Sequence, residues 1–145
     1  MDKKYLSIVL LVILVDYVLK ITSQDKVRNY GAAFNLLEDY GFLLIFISVF
    51  ALALFFYLFY KHEEYRLGLS FLIGGTLSNL LDRVLLGYVV DYIFFSDFFT
   101  SNLGDLANVI GIVIIFFSFF KSPIKKEEEH KVLKKDVRKR YGNRV

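Results

Sequence analysis

Four long apolar runs, at about 5–22, 41–60, 67–86 and 103–120, limit what this chain can fold into. A helix that crosses the hydrocarbon core of a bilayer needs roughly 20 mostly apolar residues, and each run is of that order. A soluble domain of 145 residues that is 56% hydrophobic has too little interior to hide so much apolar side chain. The runs predict an all-α integral membrane protein with four transmembrane helices. Residues 1–120 read as one membrane domain and 121–145 as a basic tail. The lone proline, Pro123, follows the last run at a place where helices often stop.

Lysine and arginine near span ends mark the cytoplasmic side. Lys3 and Lys4 precede the first run, Lys61 and Arg66 lie between the second and third, and Lys121, Lys125 and Lys126 follow the fourth. With four spans these three regions share one side, so both termini are expected in the cytoplasm. The other side receives the segments 23–40 and 87–102. The first carries Lys26 and Arg28 against Asp25, Glu38 and Asp39; the second has no Lys or Arg. A small extracytoplasmic element is expected between the first two helices. A signal peptide is a poor reading of the first run, which lacks a small-x-small cleavage site and contains Asp16. From Lys121 onward the tail has ten Lys or Arg against four acids and reads as solvated, mobile or loosely helical, with anionic lipid as its natural contact. Nothing else in the chain points to nucleic acid.

There is no cysteine, so disulfides and thiolate metal sites are excluded. His62 and His130 both lie in charged stretches outside the apolar runs, which argues against a histidine metal cluster or a Ser-His-Asp triad in the membrane.

Charge inside a spanning helix costs roughly 2.5–3.5 kcal/mol at the centre and marks function by default. The first run carries Asp16 and Lys20, an i, i+4 pair that reads as an orienting ion pair. The third carries Asn79, Asp82 and Arg83 on one face, with Gly75 one turn earlier suited to close helix packing. The fourth carries Asp105 and Asn108 on one face, bordered by Gly104 and Gly111. Asp91 lies just beyond the third run. Asp16, Lys20, Asp82, Arg83, Asp91 and Asp105 converge near the outer membrane surface. Asp91 and Asp105 have no opposite charge at helical spacing. If they meet, they share a proton, and one can take a proton from water while the other donates to a carbonyl. On spacing alone, a proton relay or a cation site in a small carrier stays open. A carrier needs a polar file across the bilayer, and the second run supplies no charge to one.

Five motifs in order resemble those of the lipoprotein signal peptidases, or signal peptidase II. They are Asp16 through Lys20; Asn29-Tyr30-Gly31-Ala32-Ala33-Phe34; Ser78-Asn79-Leu80-Leu81-Asp82-Arg83; Gly87-Tyr88-Val89-Val90-Asp91-Tyr92; and Ser101-Asn102-Leu103-Gly104-Asp105. The resemblance implies an intramembrane aspartic endopeptidase with Asp91 and Asp105 as its catalytic pair. It implies substrate-binding or supporting places for Asn29, Gly31, Ala33, Asn79, Asp82, Arg83 and Asn102, and structural places for Asp16 and Lys20. Asn108 and Gly75, read from helical spacing, join the supporting and structural sets. The implied substrate is a bacterial prolipoprotein with a diacylglyceryl cysteine, cut before that cysteine at the inner membrane. No metal or organic cofactor is implied, and globomycin-like cyclic peptides are the expected inhibitors. Four positions depart mildly from the family pattern: Ser78 for Gly, Tyr92 for Phe, Ser101 for Phe and Gly104 for Ala. A larger departure is the short segment between Lys20 and Asn29, where the family usually has a longer β-rich cradle. A family-like protein that binds or modifies lipoproteins without normal cleavage is the alternative that this shortening raises.

Overall fold

The structure is a computed structural model. It describes residues 1–31, 40–96 and 99–142, and the side chains of 96, 122–132 and 136–141 lie outside the description. The order is α1 (Lys3–Thr22), β1 (Val27–Asn29), α2 (Gly41–Lys61), a 3-10 turn (Glu63–Tyr65), α3 (Arg66–Leu86), β2 (Val89–Asp91), β3 (Ile93–Ser96), β4 (Phe99–Ser101) and α4 (Leu103–Tyr141). Four helices are long and apolar enough to cross a membrane, at Lys3–Thr22, Gly41–Lys61, Glu63–Leu86 and Leu103–Lys121. These match the four runs read from the sequence. In lipid every backbone N–H and C=O must be paired within its own segment, so an apolar stretch of this length settles as helix.

α3 is the hub of the bundle. It packs against α1, α2 and above all α4, whereas α1 and α4 meet less extensively. Glycine makes the α3–α4 approach close. A Cβ on Gly68 would sit 2.6 Å from the Gly111 carbonyl oxygen, and one on Gly111 would sit 2.7 Å from that of Gly68. Small residues at such a crossing let two backbones gain dispersion contact where lipid offers no hydrophobic drive. The apolar core is formed by Val9, Leu52, Phe59, Leu69, Leu72 and Ile73. α2 buries only Leu44, Leu52 and Phe59 and turns side chains such as Phe42 and Phe50 outward, the pattern of a lipid-facing helix.

The opposite end of the bundle is built differently. α3 stops at Gly87, whose φ of 83° is a left-handed cap and whose N–H donates to the Arg83 carbonyl at 3.1 Å. The chain then pairs β2 antiparallel with β1, bringing Val27 opposite Asp91 and Asn29 opposite Val89. β3 and β4 form a second two-stranded sheet with an irregular register. The small element expected between α1 and α2 thus contains β1, and its partner comes from the α3–α4 connection.

The fourth helix differs from expectation. It does not stop near Pro123; it continues to Tyr141, so the basic tail is helical over that length.

Candidate active site

Asp91 ends β2 and is fully buried. Asn102 Nδ2 donates to its Oδ1 at 2.7 Å. Asn29 Nδ2 and Thr100 Oγ1 donate to its Oδ2 at 2.9 and 3.2 Å. Neither asparagine is free to flip without cost. The Asn29 Oδ1 accepts the Gly31 N–H at 3.0 Å, an Asx turn. The Asn102 Oδ1 accepts the Asp105 N–H at 2.9 Å, while the Asn102 carbonyl accepts from Leu106 N–H. That is the N-cap pattern of α4. Each amide oxygen is therefore taken by backbone, and each NH2 is turned toward Asp91.

Asp105 lies in the first turn of α4, where a helix favours negative charge. Asn79 Nδ2 donates to its Oδ1 at 2.8 Å, and Ser101 Oγ donates to its Oδ2 at 3.2 Å. Asn102 thus ties the two aspartates together, holding the side chain of one and the backbone of the other. The two carboxylates also interact electrostatically. Asp105 lines a cavity of about 500 Å³, whose walls include Asn29, Asn79, Arg83 and Ser101 at the strand end and Ile47, Ala51 and Val109 farther in.

Behind Asn79 lies an ion cluster. The buried Lys20 ammonium sits 2.6 Å from Asp16 and 2.9 Å from Asp82, and donates to Asn79 Oδ1 at 3.3 Å. Asp82 also accepts the Val90 N–H at 3.0 Å, anchoring β2. The buried Asp16 accepts Ser78 Oγ at 2.5 Å and Tyr92 Oη at 2.9 Å. The Tyr92 oxygen in turn accepts the Leu103 N–H at 2.9 Å, at the first residue of α4. Burial pushes the Tyr92 phenol well above its ordinary pKa, and the Asp16 charge pushes the same way against the Leu103 amide.

Asp82 and Arg83 share a face of α3 and are adjacent in sequence, but they do not pair with each other. The charge paired with Asp82 is instead Lys20, reached across from α1. Arg83 Nη2 donates to the Gly31 carbonyl at 3.0 Å, and its buried Nε has no partner among the described residues. Its guanidinium still acts electrostatically on Asp105, Asp91 and Asp82. Gly75 lies on α3 against α4, where a Cβ would stand 2.7 Å from Asn108 Oδ1. Asn108 Oδ1 accepts from Thr76 Oγ1 at 3.3 Å. Ala33 lies outside the described residues.

Sequence reasoning missed the hydroxyls. Ser78, Tyr92 and Ser101 looked like mild departures, yet each places an O–H on Asp16 or Asp105. Replacement of Gly and Phe by hydroxyl residues was the available signal. Among the described residues, no group of three or more His, Asp or Glu side chains could hold a metal ion.

The fold and this arrangement define a multi-pass membrane protein with two linked aspartates at one end of its helix bundle. Comparison with known proteins gives the family. Residues 8–121 match the family described as signal peptidase (SPase) II, and the chain belongs to it. The lipoprotein signal peptidase of Halothermothrix orenii is 33% identical over 129 residues, covering 74% of this chain and 89% of that protein. That of Staphylococcus aureus is 34% identical over 123 residues, covering 79% and 74% respectively. A solved bacterial membrane enzyme, 28% identical, gives a TM-score of 0.75 over 85% of this chain and 91% of that one.

Proposed function

We propose that this chain is an intramembrane aspartic endopeptidase that removes signal peptides from bacterial prolipoproteins, cutting before a cysteine that carries diacylglycerol. The observation that carries the reading is the asparagine bridge: Asn102 holds Asp91 by its amide and Asp105 by its N-cap bond. Catalysis by such a pair needs two carboxyl groups with one proton between them. One carboxylate takes a proton from the attacking water. The other, protonated, donates to the scissile carbonyl and stabilises the oxyanion of the tetrahedral intermediate. Asn29, Thr100, Asn79 and Ser101 hold the two carboxyls in place. Arg83, whose buried Nε has no partner among the described residues, offers a donor beside the cavity to a substrate carbonyl. Lys20, Asp16 and Asp82 act as the cluster that fixes Asn79 and β2. Gly31 and Ala33 enter through their motif, Gly31 also as the acceptor for Arg83.

The basic-residue bias supports a site at the outer face of the inner membrane with both termini cytoplasmic. A cysteine at Gln24 should then react with an impermeant reagent added outside intact cells, and one at Glu64 should not. Reversed labelling overturns the orientation. The test of the function is cleavage of a diacylglyceryl prolipoprotein by the purified protein in detergent, with inhibition by a globomycin-like cyclic peptide. Binding of the lipidated precursor without product contradicts the peptidase reading and favours a binding protein.

A further inference from the structure

The inner part of the cavity is apolar, formed by Ile47 and Ala51 of α2 and Leu106 and Val109 of α4, with α3 behind. α2 packs heavily on α3 but has no comparable packing on α4, so the cavity lies between two helices that face lipid. Three polar side chains line this apolar part: Ser48, Thr76 and Asn108. The Ser48 hydroxyl is spent on the Leu44 carbonyl of its own helix. Thr76 donates to the Asn108 Oδ1 at 3.3 Å. Gly75 gives that amide oxygen its room, since a Cβ there would stand 2.7 Å from it. The oxygen is thereby committed to α3, and the Asn108 NH2 meets no acceptor among the described residues. An amide donor in an apolar cavity is costly until it finds an acceptor.

We propose that Asn108, held by Thr76, is a donor subsite for an acyl ester carbonyl of the diacylglyceryl group on the substrate cysteine. The inference rests on the peptidase reading. Asn108 lies three residues after Asp105 on the same helix face, so about 4.5 Å farther into the membrane. The ester carbonyls lie a few bonds beyond the cysteine sulfur, in the direction in which the acyl chains enter lipid. They are also the acceptors that need a donor there. Carbonyls of a helical signal peptide are already paired with their own N–H groups. A carbonyl in this subsite would anchor the lipid one turn below the scissile bond and hold that bond at the aspartates.

The test compares two lipopeptides of one sequence, one with ester-linked diacylglycerol and one with the ether-linked dialkyl analogue, which lacks both carbonyls. Wild-type protein should cleave the ester form with a kcat/KM about fivefold higher, the scale of one neutral hydrogen bond. Asn108→Leu should bring that ratio close to one. Thr76→Val, which frees the amide, should give a ratio between the two. The ratio is internal to each preparation, so a lower yield of folded variant does not change it. An Asn108→Leu ratio equal to that of wild type overturns the subsite, as does a wild-type protein that cleaves both lipids equally well. Failure of wild type to cleave either lipopeptide overturns the peptidase reading and the subsite with it.

Discussion

The two ends of this bundle solve the same problem by opposite means. At the end near the Lys61–Arg66 turn, α1, α2 and α3 meet through Val9, Leu52, Phe59, Leu69 and Ile73. Tyr5 stacks edge-on to Phe59 at 5.4 Å, and Arg66 lies 5.6 Å above the same ring. Specificity there comes from shape. At the other end, shape gives way to matched donors and acceptors. Asp16 accepts from Lys20, Ser78 and Tyr92; Asp91 accepts from two asparagines and a threonine. A buried polar group is most expensive when unpaired, so a nearly complete network can stand beside lipid and still keep ionisable groups in position. Packing can be exchanged for similar packing. A network of this kind cannot lose a charged member cheaply.

That contrast can be broken most severely at Lys20. Lys20→Met removes the cation between Asp16 and Asp82 and should cost about 3–5 kcal/mol, the scale of breaking a buried pair. Thermal unfolding in detergent should fall sharply, with cleavage of a lipidated precursor largely lost; a variant that melts like wild type refutes the cluster's structural role. A cavity at the other end should do less. Ile73→Ala, at a site with no solvent exposure, should cost about 2 kcal/mol and leave the KM of folded protein unchanged. A large change in KM would show that the two ends are not separable. The smallest effect is expected at Tyr92. Tyr92→Phe removes the hydrogen bond to the Asp16 carboxylate and the acceptor of the Leu103 N–H, a helix-end donor that water can satisfy, and should cost about 1.5 kcal/mol near neutral pH. Because the folded phenol holds its proton above the ordinary value of 10.0, its contribution is complete below that pH and declines as pH rises past it. The melting-temperature gap between wild type and Tyr92→Phe should therefore narrow in alkaline buffer, and a gap that widens contradicts this assignment.

The helices were legible because length and apolarity leave a lipid-embedded chain no alternative, and each run begins and ends within a few residues of the observed span. The end of α4 was not legible. An interior proline costs a helix about 3 kcal/mol through its missing donor and its clash with the i−4 carbonyl, yet the stretch after it is rich in good helix formers and the helix carries on through Pro123. The convergence of Asp16, Lys20, Asn79, Asp82, Asp91 and Asp105 followed from topology and depth. Their pairing did not. Asp82 and Arg83 are neighbours in sequence, yet Lys20 reaches Asp82 from another helix, and contacts between helices depend on rotation that no local pattern records. β1 and β2 are three residues each and pair across the length of two helices, so neither announces itself. The hydroxyls of Ser78, Tyr92 and Ser101 took on meaning only once their acceptors were known.

The central claim is that Asp91 and Asp105 act as one catalytic unit, and substitution by asparagine tests it most directly. Asparagine keeps the volume and much of the hydrogen bonding but cannot move the proton. Asp91→Asn, Asp105→Asn and the double variant should be purified, checked for wild-type-like melting and assayed on a diacylglyceryl prolipoprotein. The account predicts that each single substitution slows cleavage by about 10² to 10⁴-fold and that the double variant is no slower than the worse single, because the two groups serve one step. A folded Asp91→Asn or Asp105→Asn protein that cleaves the lipidated precursor at close to the wild-type rate would contradict it.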